Sequence, residues 1–599
     1  MEITKKSFIN FTRIFDIPQY QQEKYPNATA LNNFADGQWR GHSIQELQTR
    51  IDAISAWFLT QGYLKEDKII LVPIMGSVDW MVLDFACQQV GIVVVPLHPT
   101  SRPEEIKLIL NETEAKLIIA ADVEIYEKFL PLASRSQKPI PIHNLTPHAV
   151  GFFQPIHLTN VSPEMLARVT QAKKGIDEHD VFTILYTSGS SGMPKGVMLT
   201  HHNVVHNIKA ILTILPLEPM HRVLSFLPFS HIFERATCYA YMAFGVSLYF
   251  SQNKETFSHD FNTVKPYFCT SVPRVLEKMF DFMQEQQLHQ QWLKKRVIQW
   301  AMEVGKKYEV GNVRPVFTMQ LLLARILVLN QWRKMLGGKI RYITVGAASL
   351  RPEIGRLFSA AGIRVVEGYG MTETAPLITT NRFEPGMNRF GTVGMAVAGI
   401  AIRLDQPNEE GEGEILVKGP NVMPGYYKNP LLTKEAFTED GWFRTGDIGK
   451  FVHQRFLQIT DRKKDIFKTS AGKYIAPLPL QNHFTNSPFI QRCLIIGFQR
   501  PFVTCLVVPH FPMLEAWCKE NDIHWTSPQF MVHNIKVRAK MQNEIDQLNE
   551  DLPNFQRVRN FVICHEEWTV ERGEITNTLK PVRHLLVEHY KVEIEKMYS

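Results

Sequence analysis

YTSGSSGMPKGVMLTHHN, residues 186–203, follows the apolar run 181–185. Its first eleven positions hold three glycines, four Ser/Thr hydroxyls, one proline and one lysine. Small residues let backbone N–H groups approach a ligand closely, and glycine relieves the steric cost of unusual dihedrals. The hydroxyls add donors and Lys195 adds a point charge, a combination suited to a polyphosphate rather than a neutral ligand. A Walker loop requires G-x-x-x-x-G-K-[ST], whereas here Pro194 precedes Lys195 and Gly196 follows it, which argues against a P-loop kinase or ATPase. Taken alone, a Gly/Ser turn with no ligand is the competing reading of so short a motif.

Outward from this loop, the chain alternates helical and β-branched patterns. Residues 68–74 read as a strand, 79–90 as a helix and 91–97 as a second strand, the βαβ grammar of a parallel sheet covered by helices. Ser43 and Glu46 have capping-box spacing ahead of another helix. Residues 274–310 read as one long helix with Leu276, Met279, Met283, Val297, Trp300 and Val304 along one side. Short strands return at 340–345 and 363–370, and 401–419 read as a hairpin with a Gly/Glu-rich turn. A domain boundary is expected near Asp461, where DRKKD follows the strand-like FLQIT. An amphipathic helix is expected over 527–552, with Pro528 in its first turn and Pro553 ending it.

Composition narrows the class. Of 599 residues, 45% are apolar and 21% charged, ordinary for a globular chain. The net charge of +7 (66 basic, 59 acidic residues) is thin and interspersed, unlike a nucleic-acid footprint, so no nucleic acid partner is expected. Seven scattered cysteines without CxxC spacing predict a reduced, cytoplasmic protein lacking structural zinc. The apolar run 236–253 is too short to span a bilayer and reads as buried helix followed by strand. The stretch 319–332, MQLLLARILVLNQW, is interrupted by Arg325 and reads as a core helix, with peripheral contact to the inner face of a membrane as the second reading.

With the loop pattern 187–196 in hand, the sequence resembles the adenylate-forming superfamily of acyl-CoA synthetases, luciferases and peptide-synthetase adenylation domains. EGYGMTET (367–374) looks like that family's adenine and magnesium segment, and GWFRTGDIG (441–449) like its ribose segment. DRKKDIFKTSAGKYIAP (461–477) resembles the hinge and the start of the small domain, and GEITNTLKPVR (573–583) the segment carrying a catalytic lysine. LPFSHIFER (227–235), KTSAGKYIAP, GPNVMPGYYKNP (419–430) and TNTLKPVR look like the long-chain fatty acyl-CoA synthetase branch.

The resemblance implies an α/β fold. Residues 1–460 would form a large N-terminal domain of βαβ-type sheets plus a small distorted β-barrel. Residues 461–599 would form a small mobile α+β domain turning about Asp461. It implies that a long-chain fatty acid and ATP give acyl-AMP and pyrophosphate, after which CoA takes the acyl group. Thr187, Ser188, Gly189, Ser190, Ser191, Gly192 and Lys195 would cradle the phosphates, and Mg²⁺ would be held by Glu373 and the Thr187 hydroxyl. Nucleotide contacts are implied along Glu367, Gly368, Tyr369, Gly370, Met371 and Thr372. Tyr369 would lie against adenine, beside Gly346 and Ala347, the latter standing where the family often has glycine. Asp447 would accept from the ribose hydroxyls, with Arg462 nearby and Lys468 as a further cation. Lys580 would bind the α-phosphate side of the transition state, and His231 would line the path of the acyl carboxylate. The acyl chain would occupy a tunnel around 226–242 and 270–280. A fatty acyl-AMP ligase serving a carrier protein and a non-catalytic fatty-acid sensor are the alternatives. Whether the chain is a monomer or homodimer is not written in these motifs.

Overall fold

The structure, a computed structural model, describes residues 10–188, 194–253, 255–288, 292–311, 314–569, 572–576 and 581–599. By internal contacts the chain divides into two units. The first comprises 1–273, 300–402 and 417–443, and the second 274–299, 403–416 and 444–599.

The first unit carries the predicted βαβ grammar. One seven-stranded sheet orders Gly425–Tyr426, Pro194–Thr200, Val181–Ser188, Val93–Pro96, Lys68–Val72, Leu117–Ala120 and Ile142–Asn144. The last five run parallel, and the strands on either side of the glycine-rich loop close one end antiparallel. Period-two side-chain alternation sends Ile69, Leu71, Val94, Leu117 and Ile119 into one apolar core. Ile70, Val72, Val93, Val95 and Ile118 go into another on the opposite face. Burial on both faces explains why these strands read as unbroken apolar runs.

A nine-stranded sheet orders Met395–Ala396, Leu377–Thr380, Arg364–Gly370, Tyr342–Val345, Phe268–Ser271, Arg222–Ser225, Ser247–Phe250, Leu31–Ala35 and Gln38–His42. The run 236–253 is buried helix Ile232–Phe244, then strand Ser247–Phe250, with Gly245 at φ 75° ending the helix. Ser43 caps helix Ile44–Thr60: its hydroxyl accepts from Glu46 N at 3.2 Å, and the Glu46 carboxylate accepts from Ser43 N at 2.7 Å.

In the second unit, the sheet Ala401–Asp405, Gly413–Lys418, Phe443–Val452, Phe456–Arg462 contains the predicted hairpin and lies mainly within this unit. It is an open four-stranded sheet, and no closed barrel is formed among the described residues. A three-stranded sheet, Ile490–Ile496, Val503–Pro509 and Val558–Ile563, packs around its own core, which includes Ile495, Val507, Leu514 and Met541.

Three helical expectations are revised in their burial or their bounds. Of the helix expected over 274–310, Pro273–Leu288 and Trp292–Lys306 are helical and 289–291 lie outside the described residues, but its apolar stripe is only partly core: Leu276, Met283 and Val304 are buried while Val297 and Trp300 are exposed. The helix expected over 527–552 is Pro528–Met531 and then Ile535–Glu550. Asn534 starts the second, its side chain accepting from Lys536 N and Val537 N at 2.9 and 3.4 Å; a side chain that caps so well interrupts a longer helix. The stretch 319–332 lies in Pro315–Ala324, the π-helical turn Arg325–Leu329 and Asn330–Met335. Leu321, Val328, Leu329 and Trp332 are core, but Val316, Met319, Leu322, Leu323, Ile326 and Leu327 face solvent.

All seven cysteines are free and buried. No helix among the described residues is long and apolar enough to cross a membrane.

Candidate active site

The antiparallel register of Val181–Ser188 with Pro194–Thr200 pairs Thr187 with Lys195 and Ser188 with Pro194 at the loop end of the hairpin. Gly189, Ser190, Ser191 and Gly192, named above as phosphate contacts, lie outside the described residues, as does Lys580. Gly425–Tyr426 pairs with the second strand, Tyr426 opposite Val197. That register carries the Tyr426 ring to Lys195. The Lys195 ammonium sits 4.2 Å from the ring centroid and donates to the Tyr426 hydroxyl at 2.5 Å. Tyr426 Oη in turn donates to Glu373 Oε1 at 2.9 Å, and the Lys195 ammonium lies 3.1 Å from the same oxygen. Burial, reinforced by the neighbouring Glu373 carboxylate, pushes the Tyr426 hydroxyl pKa above its usual range, so it stays protonated and can bridge the two charges.

Glu373 is buried in the turn Thr372–Thr374. Asn207 and Asn421 each donate to Thr374 O, at 3.2 and 2.9 Å, and Met423 N donates to Glu373 O at 2.9 Å. Asn207 Oδ1 also accepts from Leu377 N at 2.8 Å. Two asparagines on separate elements thus hold the peptide turn that aims the carboxylate. Thr187 Oγ1 is buried and has no hydrogen-bond partner among the described residues. An orphaned buried hydroxyl is costly unless a ligand satisfies it. A hydroxyl and a carboxylate are hard oxygen donors, which fits a magnesium ion that retains several waters.

Tyr369 is buried in strand Arg364–Gly370. Parallel pairing of Val345 with Glu367 brings Gly346 and Ala347, directly after Tyr342–Val345, beside Glu367, Gly368, Tyr369 and Gly370. Ala347 is exposed at φ 69°, the left-handed backbone that explains why glycine suits this position. Gly370 is fixed by packing: a Cβ there would lie 1.9 Å from Pro376 O. Met371 N donates to Pro376 O at 3.0 Å, closing the loop ahead of Thr372 and Glu373. The Glu367 carboxylate turns back to accept from Leu350 N at 3.2 Å, and burial raises its pKa to about 7. It braces the 346–350 loop in this structure.

His231 is the N-cap residue of Ile232–Phe244, half-buried, its ring 6.0 Å from that of His98; desolvation lowers its pKa and keeps it neutral. The helix it starts is pinned by Arg235, which is fully buried. Arg235 forms a bidentate pair with Asp84 and donates to Tyr239 Oη and Thr183 Oγ1, each at 2.7 Å. Thr183 belongs to the strand that enters the phosphate loop, so one guanidinium ties that strand to the helix bearing His231.

In the second unit, Asp447 and Arg462 are cross-strand partners, Arg462 Nε 3.3 Å from Asp447 Oδ1. Thr445 Oγ1 accepts from Asp447 N at 3.1 Å and donates to Ile415 O at 2.7 Å, fixing the turn around Gly446. Asp461 is buried: its carboxylate accepts from Arg462 N at 2.6 Å and from Leu478 N, in the first turn of helix Pro477–Phe484, at 3.1 Å. Burial raises its pKa to about 6 despite those bonds. Lys468 is exposed, its ammonium 5.2 Å from the Tyr474 ring centroid. On either side of the Lys580 segment, Ile575 and Pro581 form an antiparallel bridge.

Thr187, Lys195 and Glu373, distant in sequence, therefore belong to one polar group in the first unit. Tyr426, Asn207 and Asn421 are the site residues that sequence reading passed over. Tyr426 and Asn421 sit inside GPNVMPGYYKNP, a segment recognisable as a motif but silent about which side chain acts.

The family described as AMP-binding enzyme matches residues 18–427, and its C-terminal domain matches 464–599. The chain belongs to the AMP-binding enzyme family. Among its relatives is the long-chain-fatty-acid–CoA ligase FadD15 of Mycobacterium bovis, 28% identical over 96% of this chain and 95% of the relative. Another is long-chain-fatty-acid–CoA ligase 6 of Mus musculus, 31% identical over 93% of this chain and 82% of the relative. Similar solved structures include ATP-bound MatB from Rhodopseudomonas palustris, with TM-score 0.70 and 21% identity over 97% of this chain and 99% of that one. The adenylation domain of a Mycobacterium chelonae carboxylate reductase gives TM-score 0.73 at 22% identity over 99% of this chain and 92% of that one.

Proposed function

We propose that the protein is an AMP-forming long-chain-fatty-acid–CoA ligase. A carboxylate is a poor electrophile because oxide is a bad leaving group; adenylation replaces the oxide with AMP, and the CoA thiol then attacks. The observation that carries this reading is the Lys195–Tyr426–Glu373 group, with Lys195 paired across the hairpin to Thr187, whose buried hydroxyl has no partner among the described residues.

Joining a fatty carboxylate to an α-phosphate brings two anions together, a repulsion of about 4 kcal/mol at about 4 Å and an effective dielectric of 20. Lys195 offsets it on the β- and γ-phosphates, with the loop amides as further donors. Magnesium, held by Glu373 and Thr187, would supply bridging positive charge to the same phosphates. Tyr369, Gly346 and Ala347 take the adenine, Asp447 the ribose hydroxyls, and Arg462 the adjoining ribose or phosphate. Lys468 is a further cation for the same ligand. Lys580 puts charge where the transition state develops it, usually the largest catalytic effect. Neutral His231 lines the acyl path. The domain cut is at 460/461, with Asp461 as the pivot: the second half-reaction needs a turn about a few residues at an element boundary. The Asp461 carboxylate accepts from Arg462 N and Leu478 N, anchoring the pivot to the segment that follows it, which supports this assignment.

Peripheral membrane contact is the second part of the reading. Val316, Met319, Leu323 and Ile326 recur at helical spacing and are exposed by 48–67%, with basic Arg333 and Lys334 following. Such a face suits the boundary of an anionic bilayer, where the fatty acid substrate resides. Co-sedimentation with anionic vesicles that is lost in L322S/I326S tests it.

Pyrophosphate release that requires added fatty acid, screened from C6 to C20, separates the enzyme from a fatty-acid sensor. Loss of free CoA thiol in the same reaction separates the ligase from a carrier-protein acyl-AMP ligase.

A further inference from the structure

At the end of the 181–188/194–200 hairpin away from the phosphate loop, three side chains converge without bonding one another. Glu178 Oε1 lies 3.6 Å from His179 Nε2 and 3.7 Å from His202 Nδ1, and one ligand atom from each residue falls within 4.8 Å of the others. The two imidazoles stand 4.7 Å apart between centroids, inclined by 38°. These spacings exceed hydrogen-bond reach. They approach the edges of a metal tetrahedron, where bonds of about 2.0–2.1 Å set ligand atoms about 3.3–3.4 Å apart.

The backbone fixes the arrangement. His202 N donates to Glu178 O at 2.7 Å, and His179 N donates to Asp177 Oδ1 at 2.9 Å. His202 lies in the first turn of helix His201–Ile214, which Thr200 caps. The Glu178 charge offsets the partial positive charge of that helix end, which would otherwise repel a cation. All three side chains reach solvent, at 35%, 67% and 36% exposure, so an ion can enter and keep a water in its fourth position.

We propose that Glu178, His179 and His202 bind a divalent transition metal of the zinc type. Two imidazoles and one carboxylate favour that class over magnesium or calcium, which prefer all-oxygen shells. None of the three has a role in the nucleotide site. The ion would clip the residues entering the first strand to the helix leaving the second, bracing the hairpin from the end opposite its ligand. Cysteine counting could not find this site, because it contains no cysteine.

The test is calorimetric titration of zinc chloride into the metal-free full-length chain without nucleotide or magnesium, joined to zinc-edge X-ray absorption. The expected result is one saturable site with two imidazoles, only nitrogen and oxygen ligands, and a rise in Tm on binding. H179A and H202A should each weaken binding at least about 10-fold, and Glu178→Gln should weaken it as well. Fatty-acid-dependent pyrophosphate release without zinc should be unchanged in all three, which also establishes that they fold. Sulfur in the first coordination shell, wild-type affinity in either histidine variant, or no saturation below millimolar zinc would overturn the assignment.

Discussion

The Lys195 ammonium and the Glu373 carboxylate lie 3.1 Å apart, with the Tyr426 hydroxyl bonded to both. The cation assigned to the phosphates and the anion assigned to magnesium therefore neutralise each other before any ligand arrives. A magnesium–polyphosphate complex, carrying both signs, can exchange with this pair without leaving either charge stranded in a buried site.

Tyr426 positions both charges. Tyr426→Phe keeps the ring under Lys195 but removes the bridge, and a hydrogen bond to a charged group contributes about 1.5–3 kcal/mol. The expected outcome is a fall of about 10-fold or more in kcat/KM for ATP, with KM for the fatty acid unchanged. Steady-state pyrophosphate release at varied ATP measures it; equal loss on both substrates would instead indicate general disruption.

Arg235 and Asp84 form a fully buried pair. Arg235→Met leaves an unpaired buried carboxylate and should destabilise the first unit by about 3–5 kcal/mol. The double variant R235M/D84L should recover much of that loss, since a buried pair is itself worth little against apolar packing. Denaturant unfolding of the two variants decides this.

Burial raises the Glu234 and Glu367 carboxyls to about 7, opposed in each case by hydrogen bonds. An acid whose folded pKa exceeds its unfolded value stabilises the fold below the unfolded pKa, and that contribution is lost as pH rises through the folded one. Stability should therefore decline between about pH 5 and pH 8, on the order of 2–3 kcal/mol for each carboxyl. Glu234→Gln should flatten the slope of Tm against pH over that window. An unchanged slope would place the ionisation elsewhere.

Ala347 adopts φ 69° on an exposed loop. Left-handed backbone costs a non-glycine residue about 1–2 kcal/mol, so Ala347→Gly should be neutral or stabilising by up to about 1 kcal/mol despite glycine's greater chain entropy. Thermal unfolding measures it.

Much of this architecture could be read from the chain because local and global signals agree there. The strands 68–72 and 93–96 are apolar on both faces, and Ser43 and Glu46 satisfy each other's backbone within one turn. Expectations failed where one period had two explanations. The 319–332 run is uniformly apolar, so its pattern could not separate core Leu329 from exposed Ile326. The 527–552 helix is divided by Asn534, whose capping competes with helix continuation through a bond that only the folded turn displays. In the site, Lys195 and Glu373 stood out through their motifs. Tyr426 did not, because its role comes from strand pairing with Val197, a contact between segments more than 200 residues apart.

The account rests on a nucleotide being cut between its α- and β-phosphates by a fatty carboxylate. Purified protein should be incubated with magnesium, palmitate and ATP labelled separately at the α- and γ-phosphates, and the products separated. AMP and pyrophosphate in equal amounts, absent without palmitate, is the predicted result. ADP with inorganic phosphate, or cleavage indifferent to palmitate, would contradict it.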